Sequence, residues 1–152
     1  MNVYDRMKEK DIVLPPPPPR GGLYSPCKIV DGWAYVSGCG CNIGEKVYKG
    51  TLGKEFTVAE GQNLARNCAL NLLAVLEREL GDLNRVKAAA KILVLVASQN
   101  DFYRQPEVAN GASGLLAEVF GEEIGLPARS AIGVNALPGN LPVEVEAVFA
   151  IA

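Results

Sequence analysis

Arg129, Glu144 and Glu146 stand out as chemistry-bearing side chains among the small and apolar residues of the C-terminal stretch. An arginine's planar guanidinium can receive both oxygens of a carboxylate at once. A glutamate in a partly dry pocket can orient or deprotonate water. On residues alone two readings of Arg129 stand: an ion pair with Glu144 or Glu146 across an interface, or a receptor for an anionic small molecule. The chain contains no histidine, so neither a Ser-His-Asp nor a Cys-His device can operate. Proton transfer then falls to carboxylates, Tyr, Lys, Cys, backbone groups or water. Of the four cysteines (Cys27, Cys39, Cys41 and Cys68), only Cys39 and Cys41 lie close in sequence. As residues i and i+2 of a strand they would share one face. That spacing leaves a metal or redox site open beside a pair of buried reduced thiols.

These residues sit in a chain of 152 residues, 49% hydrophobic and with formal net charge −2. That length fits one domain, and the composition is that of a globular protein. Near-neutral charge without a basic stripe argues against a nucleic-acid partner. The first ten residues are charged throughout and carry no apolar core of a signal peptide. The most apolar run, 88–97, is interrupted by Lys91 and falls short of the roughly 20 residues a bilayer needs. A cytoplasmic protein without a membrane association is expected.

The elements that position these groups can be read in order. Residues 1–20 are expected to be an extended tail, because Pro15 to Pro19 favour polyproline II and cannot enter a central strand. The folded domain spans 21–152. Asp31-Gly32 marks a hairpin turn between 27–30 and 34–37, and Gly38, Gly40 and Gly44 mark an irregular loop beyond it. Thr57-Val58-Ala59-Glu60 is a capping box. It opens a helix whose apolar residues recur at helical spacing from Leu64 to Leu80 and which Gly81 ends. Residues 86–96 read as a strand buried on both faces. Pro106 suits the start of a second helix, with Asn110 off its apolar stripe. Strands 128–136 and 143–151 close the chain. Two helices on one face of a mixed sheet make an α+β sandwich. Alternation puts Arg129 with Glu144 and Glu146 on the other, uncovered face, where a partner subunit would cover them.

The C-terminal strands carry a signature. Pro127-Ala128-Arg129-Ser130-Ala131, then Leu137-Pro138, then Val143-Glu144-Val145-Glu146-Ala147 resembles the closing motif of the RidA/YjgF family. Tyr24-Ser25-Pro26 and Tyr35-Val36-Ser37-Gly38 resemble that family's earlier segments. The stretches around Asn71 and from Asp101 to Asn110 fit in the same order. The likeness runs from about Leu23 to Ala152.

This resemblance implies a fold like Bacillus-type chorismate mutase, assembled as a homotrimeric barrel with ligand clefts between subunits. It implies hydrolysis of reactive enamines and imines, such as 2-aminoacrylate, to 2-oxo acids and ammonia, with no cofactor and no metal. By position Arg129 would bind the substrate carboxylate and Glu144 would handle the attacking water. Tyr24, Ser37, Gly38 and Asn110 would line the pocket. A trimeric carboxylate-binding or chaperone-like module is the alternative, since it would use the same arginine. A nuclease reading is disfavoured by the lack of histidine and of a basic stripe. The chain departs from familiar members in its extra stretch around Glu122 to Gly125, in Ala131 where many have cysteine, and in the loop from Gly38 to Gly50. If the last two strands pair directly as antiparallel neighbours, Arg129 and Glu144 stand roughly 20 Å apart. Two subunits would then be needed to bring both to one ligand.

Overall fold

Asn2 caps a short helix, α1 (Val3–Glu9), by accepting from the Tyr4 amide. In this computed structural model, which describes residues 2–152, α1 replaces part of the tail expected over 1–20. Val3, Met7 and Ile12 are buried in the core. Two long-range hydrogen bonds fix the helix: the Val3 amide donates to Asn84 Oδ1, and the Leu83 amide donates to the Tyr4 hydroxyl. Val3 and Met7, four positions apart ahead of the proline run, share the buried side of this helix. Only the segment after Ile12, prolines included, is without regular structure.

The chain then forms β1 (Cys27–Val30) and β2 (Trp33–Gly40), an antiparallel hairpin closed by Asp31 and Gly32, both at positive φ. This is the tight turn the Asp-Gly pair favours. Strand β2 runs through Gly38 and Gly40, which were expected in a loop. The irregularity there is a bulge between Val36 and Cys39. Thr57 and Glu60 cap α2 (Val58–Leu80) reciprocally, and Gly81 ends it in the left-handed conformation. Loss of such a cap costs about 1 kcal/mol. The rest follows as β3 (Val86–Ala97), α3 (Gln105–Phe120), a single turn α4 (Glu122–Gly125), β4 (Ala128–Val134) and β5 (Val143–Ile151). The stretch around Glu122 to Gly125, noted as an insertion, is thus the turn α4, and it packs beside α3.

The five strands form one mixed sheet in the order β1-β2-β5-β3-β4, with β3 and β4 parallel and the other pairs antiparallel. Helices α2 and α3 pack on one face. Ile92, Val94 and Val96 of β3 and Val143, Val145, Ala147 and Phe149 of β5 meet them there, all buried. The Phe120 and Phe149 rings, 6.3 Å apart and tilted, fasten the end of α3 to the sheet, a geometry aromatic quadrupoles favour. Leu93 and Leu95 on the opposite face are only half-buried, so β3 is covered on one side rather than both. Tyr35, Val148, Lys91, Leu93, Ser130 and Glu146 line an open concavity of about 370 Å³ on that second face. Among the described residues no helix is long and apolar enough to cross a membrane.

Candidate active site

Glu144 is the starting point, because the fold gives it unusual surroundings. It pairs across the sheet with Gly40 of β2 and Leu95 of β3. The β2 bulge brings Gly38 against it: a Cβ at Gly38 would sit 2.8 Å from Glu144 Oε2. A side chain at position 38 would push the Glu144 carboxylate out of the place it now occupies. Glu144 is half-buried, and burial raises its proton affinity above the ordinary carboxylate range, with the charge of Glu146 adding to the rise. A carboxyl tuned upward in this way is better matched to proton transfer near neutral pH.

The cleft beside Glu144 has a volume of about 500 Å³ and is lined by Tyr24, Ser37, Gly38 and Cys39, among others. Two of the hydroxyls already have one partner each. Ser37 Oγ donates to the Ser25 carbonyl at 2.7 Å, and Tyr24 Oη accepts from the Gly21 amide at 2.8 Å. Ser37 is left with lone pairs to offer, whereas Tyr24 keeps its proton to donate. Asn71, buried on α2, donates to the carbonyls of Gly40 and Asn42 and so pins the chain leaving β2.

Cys39 lines the same cleft, but its thiol is pushed up to about 12 by burial and by the charge of Glu144. It stays protonated at neutral pH and is a poor nucleophile. All four cysteines are free and buried, and burial also holds the Cys68 thiol protonated. Among the described residues no group of three or more His, Cys, Asp or Glu side chains is placed to hold a metal ion.

Arg129 and Asn110 lie outside this cleft. Arg129 pairs with Ile92 across β3, and directly paired residues share a face. Ile92 is buried under the helices and also pairs with Ala147. Arg129 therefore points to the helix side, and Glu144 and Glu146 point to the opposite side. This corrects the expectation that the three share one face. Alternation separates the two sides of each strand, but only the ladder says which set of β4 faces the helices.

A second correction concerns distance. Strand β3 lies between β4 and β5, so the last two strands are not neighbours. Arg129 and Glu144 align with Ile92 and Leu95 of β3. The offset is roughly 10 Å along the strands and roughly 10 Å across two strand spacings. They remain apart, on different faces of the sheet.

The Arg129 guanidinium is held by α3. Its Nη1 donates to Asn110 Oδ1 at 2.8 Å and to Ser113 Oγ at 3.2 Å. Asn110 and Ser113 are three positions apart and so stand on one side of the helix. Among the described residues Arg129 has no carboxylate within ion-pairing distance; the pairs formed are Arg66–Glu118 and Arg104–Glu107. The chain thus carries two incomplete groups: a cation clip made of Arg129, Asn110 and Ser113, and a cleft made of Tyr24, Ser37, Gly38 and Glu144. Sequence reasoning missed Ser113, although its spacing from Asn110 was available. It also missed Arg20, which lines the cleft just after the proline run.

Residues 6–145 match the family model described as "YjgF/chorismate_mutase-like, putative endoribonuclease". Protein TCP17 of Trypanosoma cruzi is 51% identical over 98 residues, 64% of this chain and 61% of that protein; the match thus spans about three-fifths of that relative's length. The crystal structure of a putative endoribonuclease from Shewanella oneidensis superposes with a TM-score of 0.95 at 28% identity, covering 99% of this chain and all of that one. RidA from an Antarctic Psychrobacter superposes with a TM-score of 0.60 at 28% identity, covering 89% of this chain and 94% of that one.

Proposed function

The chain belongs to the YjgF/RidA family, and from that membership and its two incomplete groups we propose that it is an imine and enamine deaminase working as a homotrimer. The observation that carries this reading is Arg129: a half-buried guanidinium, oriented by Asn110 and Ser113, with no carboxylate paired to its charge among the described residues. Such a group is prepared for an anion that arrives from elsewhere.

The site is completed at a seam between subunits. Arg129 stands on β4, which pairs on one side only. The Glu144 cleft lies beside β2 and the central strand β5, away from the β4 edge. A neighbour's β4 brought against this cleft supplies the missing cation. The half-exposed apolar residues of the uncovered face, including Tyr35 and Ile132, are covered in the same assembly. Burial of that apolar area favours association.

In the reaction, Arg129 holds the carboxylate of a 2-imino acid. Water attacks C2 while Glu144 accepts one of its protons, and the C=N π pair moves to nitrogen. The resulting carbinolamine loses ammonia as the C–N bond breaks, the C2 hydroxyl proton leaves, and the C=O bond forms. Nitrogen collects the protons released, so imine and water become 2-oxo acid and ammonia with no electrons gained or lost. An enamine enters after its tautomerisation to the imine. Tyr24, with a proton to donate, and Ser37, with lone pairs, can orient the substrate and water.

The test is a coupled assay in which an amino-acid oxidase or dehydratase generates the imine and its disappearance is followed. Acceleration that is lost in Arg129→Ala, with the oligomer intact by sedimentation, supports the deaminase. No acceleration with imines from several amino acids rejects it and favours a module that only binds small carboxylates.

A further inference from the structure

The N-terminal strap brings a second cation to the cleft. Pro18, Pro19, Arg20 and Gly21 line it together with Tyr24 and Glu144. The strap is docked at its start and leads into β1, at the buried Cys27, at its end. At one end α1 is docked through Val3, Met7 and Ile12 and the bonds to Asn84 and Leu83. Toward the other, residues 21–24 form an exposed turn in which the Gly21 amide donates to Tyr24 Oη. Between them the five consecutive prolines restrict φ and leave little backbone freedom to lose.

Arg20 is held at the end of this stiff arm, with Nη1 donating to the Tyr24 carbonyl at 3.3 Å. Among the described residues its guanidinium makes no ion pair, although Glu144 lines the same cleft. A surface arginine usually drifts in solvent, and its side-chain freedom opposes ordered contacts. Here the backbone is fixed next to the cleft and one N–H is already committed, so the cost of ordering the rest is reduced.

We propose that Arg20 is a specificity-determining residue that receives a second anionic group of the substrate. The substrate class is then the imines of dicarboxylic amino acids: the 2-carboxylate goes to Arg129 of the neighbouring subunit and the distal carboxylate to Arg20. This rests on the deaminase reading above and deepens it. A cleft holding Glu144 alone would repel a dianion; Arg20 offsets that repulsion and selects for it.

The experiment compares wild-type protein with Arg20→Ala on imines made in place by oxidases acting on aspartate and on alanine. The readout is the ratio of kcat/KM for the dicarboxylate imine to that for the monocarboxylate imine. Loss of a charge-assisted contact should lower this ratio by about tenfold or more, mainly through KM, with Arg20→Lys restoring part of it. An unchanged ratio overturns the proposal while leaving the deaminase reading in place. Absence of any acceleration overturns the deaminase reading instead. Calorimetric binding then serves as a readout independent of turnover. Arg20→Ala should weaken 2-oxoglutarate, relative to pyruvate, by about tenfold, and equal weakening of both, or of neither, rejects the role of Arg20.

Discussion

Arg129 and Glu144 stand on opposite faces of the sheet with β3 between their strands, Arg129 level with Ile92 and Glu144 level with Leu95. Neither can reach the other's ligand around a sheet filled by Ile92, Val94 and Val145, all of them buried. A site using both must draw them from two copies of the chain. Arg129→Ala and Glu144→Gln should each be strongly impaired alone, with a residual rate still measurable. Coexpressed in equal amounts, they should regain activity, because about a quarter of the seams combine an intact arginine with an intact glutamate. No recovery in mixed oligomers, shown to be mixed by mass spectrometry, would rule out the shared site.

Asn110 accepts a hydrogen bond from the Arg129 guanidinium, and in the proposed reaction it orients that group. Asn110→Ala should lower kcat/KM about tenfold, in line with one hydrogen bond of about 1–1.5 kcal/mol. The loss should fall mostly on KM, whereas Glu144→Gln should fall on kcat. Steady-state kinetics on one imine series separates the two; a kcat defect in Asn110→Ala equal to that of Glu144→Gln would contradict the assignment.

Burial raises the proton affinity of Glu144, and Glu146 adds to it. As a base it must be ionised, so the acid limb of the kcat profile should lie above the usual carboxylate range and vanish in Glu144→Gln. Stability has the opposite sign. A folded-state pKa above the unfolded one means the native state holds the extra proton. This contribution is complete below the unfolded carboxylate pKa of about 4.3 and is lost as pH rises through the raised value. Glu144→Gln should therefore be the more stable protein at neutral pH. The gap should close on acidification, measured by urea unfolding at a series of pH values.

Two glycines of α3 should respond oppositely to the same substitution. A methyl at Gly111 would overlap the Gln62 carbonyl of α2, whereas a methyl at Gly114 meets nothing. Gly111→Ala should destabilise by about 1–3 kcal/mol, because the two helices must separate. Gly114→Ala should stabilise by about 0.5–1 kcal/mol through helix propensity. Thermal melts of the two variants check this directly.

Cys27 and Cys39 should be inert in the native protein. Burial raises Cys27 to about 11, and burial with Glu144 raises Cys39 to about 12. Iodoacetamide at neutral pH should modify neither until denaturant is added, as read by mass spectrometry, and rapid native labelling of Cys39 would contradict its burial.

The periodicity of α2, its Thr57–Glu60 cap, the Asp31-Gly32 turn and the β-branched run of β3 were all legible in the chain because they are local. Their signals act over a few residues along the chain and can be read without knowing any long-range contact. The family motif around Arg129 and Glu144 was legible for a different reason: its residues lie on two nearby strands whose spacing survives in the sequence. What a linear pattern cannot express is which strands become neighbours. Inserting β3 between β4 and β5 decided that Arg129 faces the helices and Glu144 faces away, since a ladder's register, rather than alternation alone, assigns a strand's two sides. The docking of α1 and the delivery of Arg20 to the Glu144 cleft were likewise decided by packing between segments far apart in sequence, where burial of Val3, Met7 and Ile12 outweighs the entropy of holding the N-terminal strap in place.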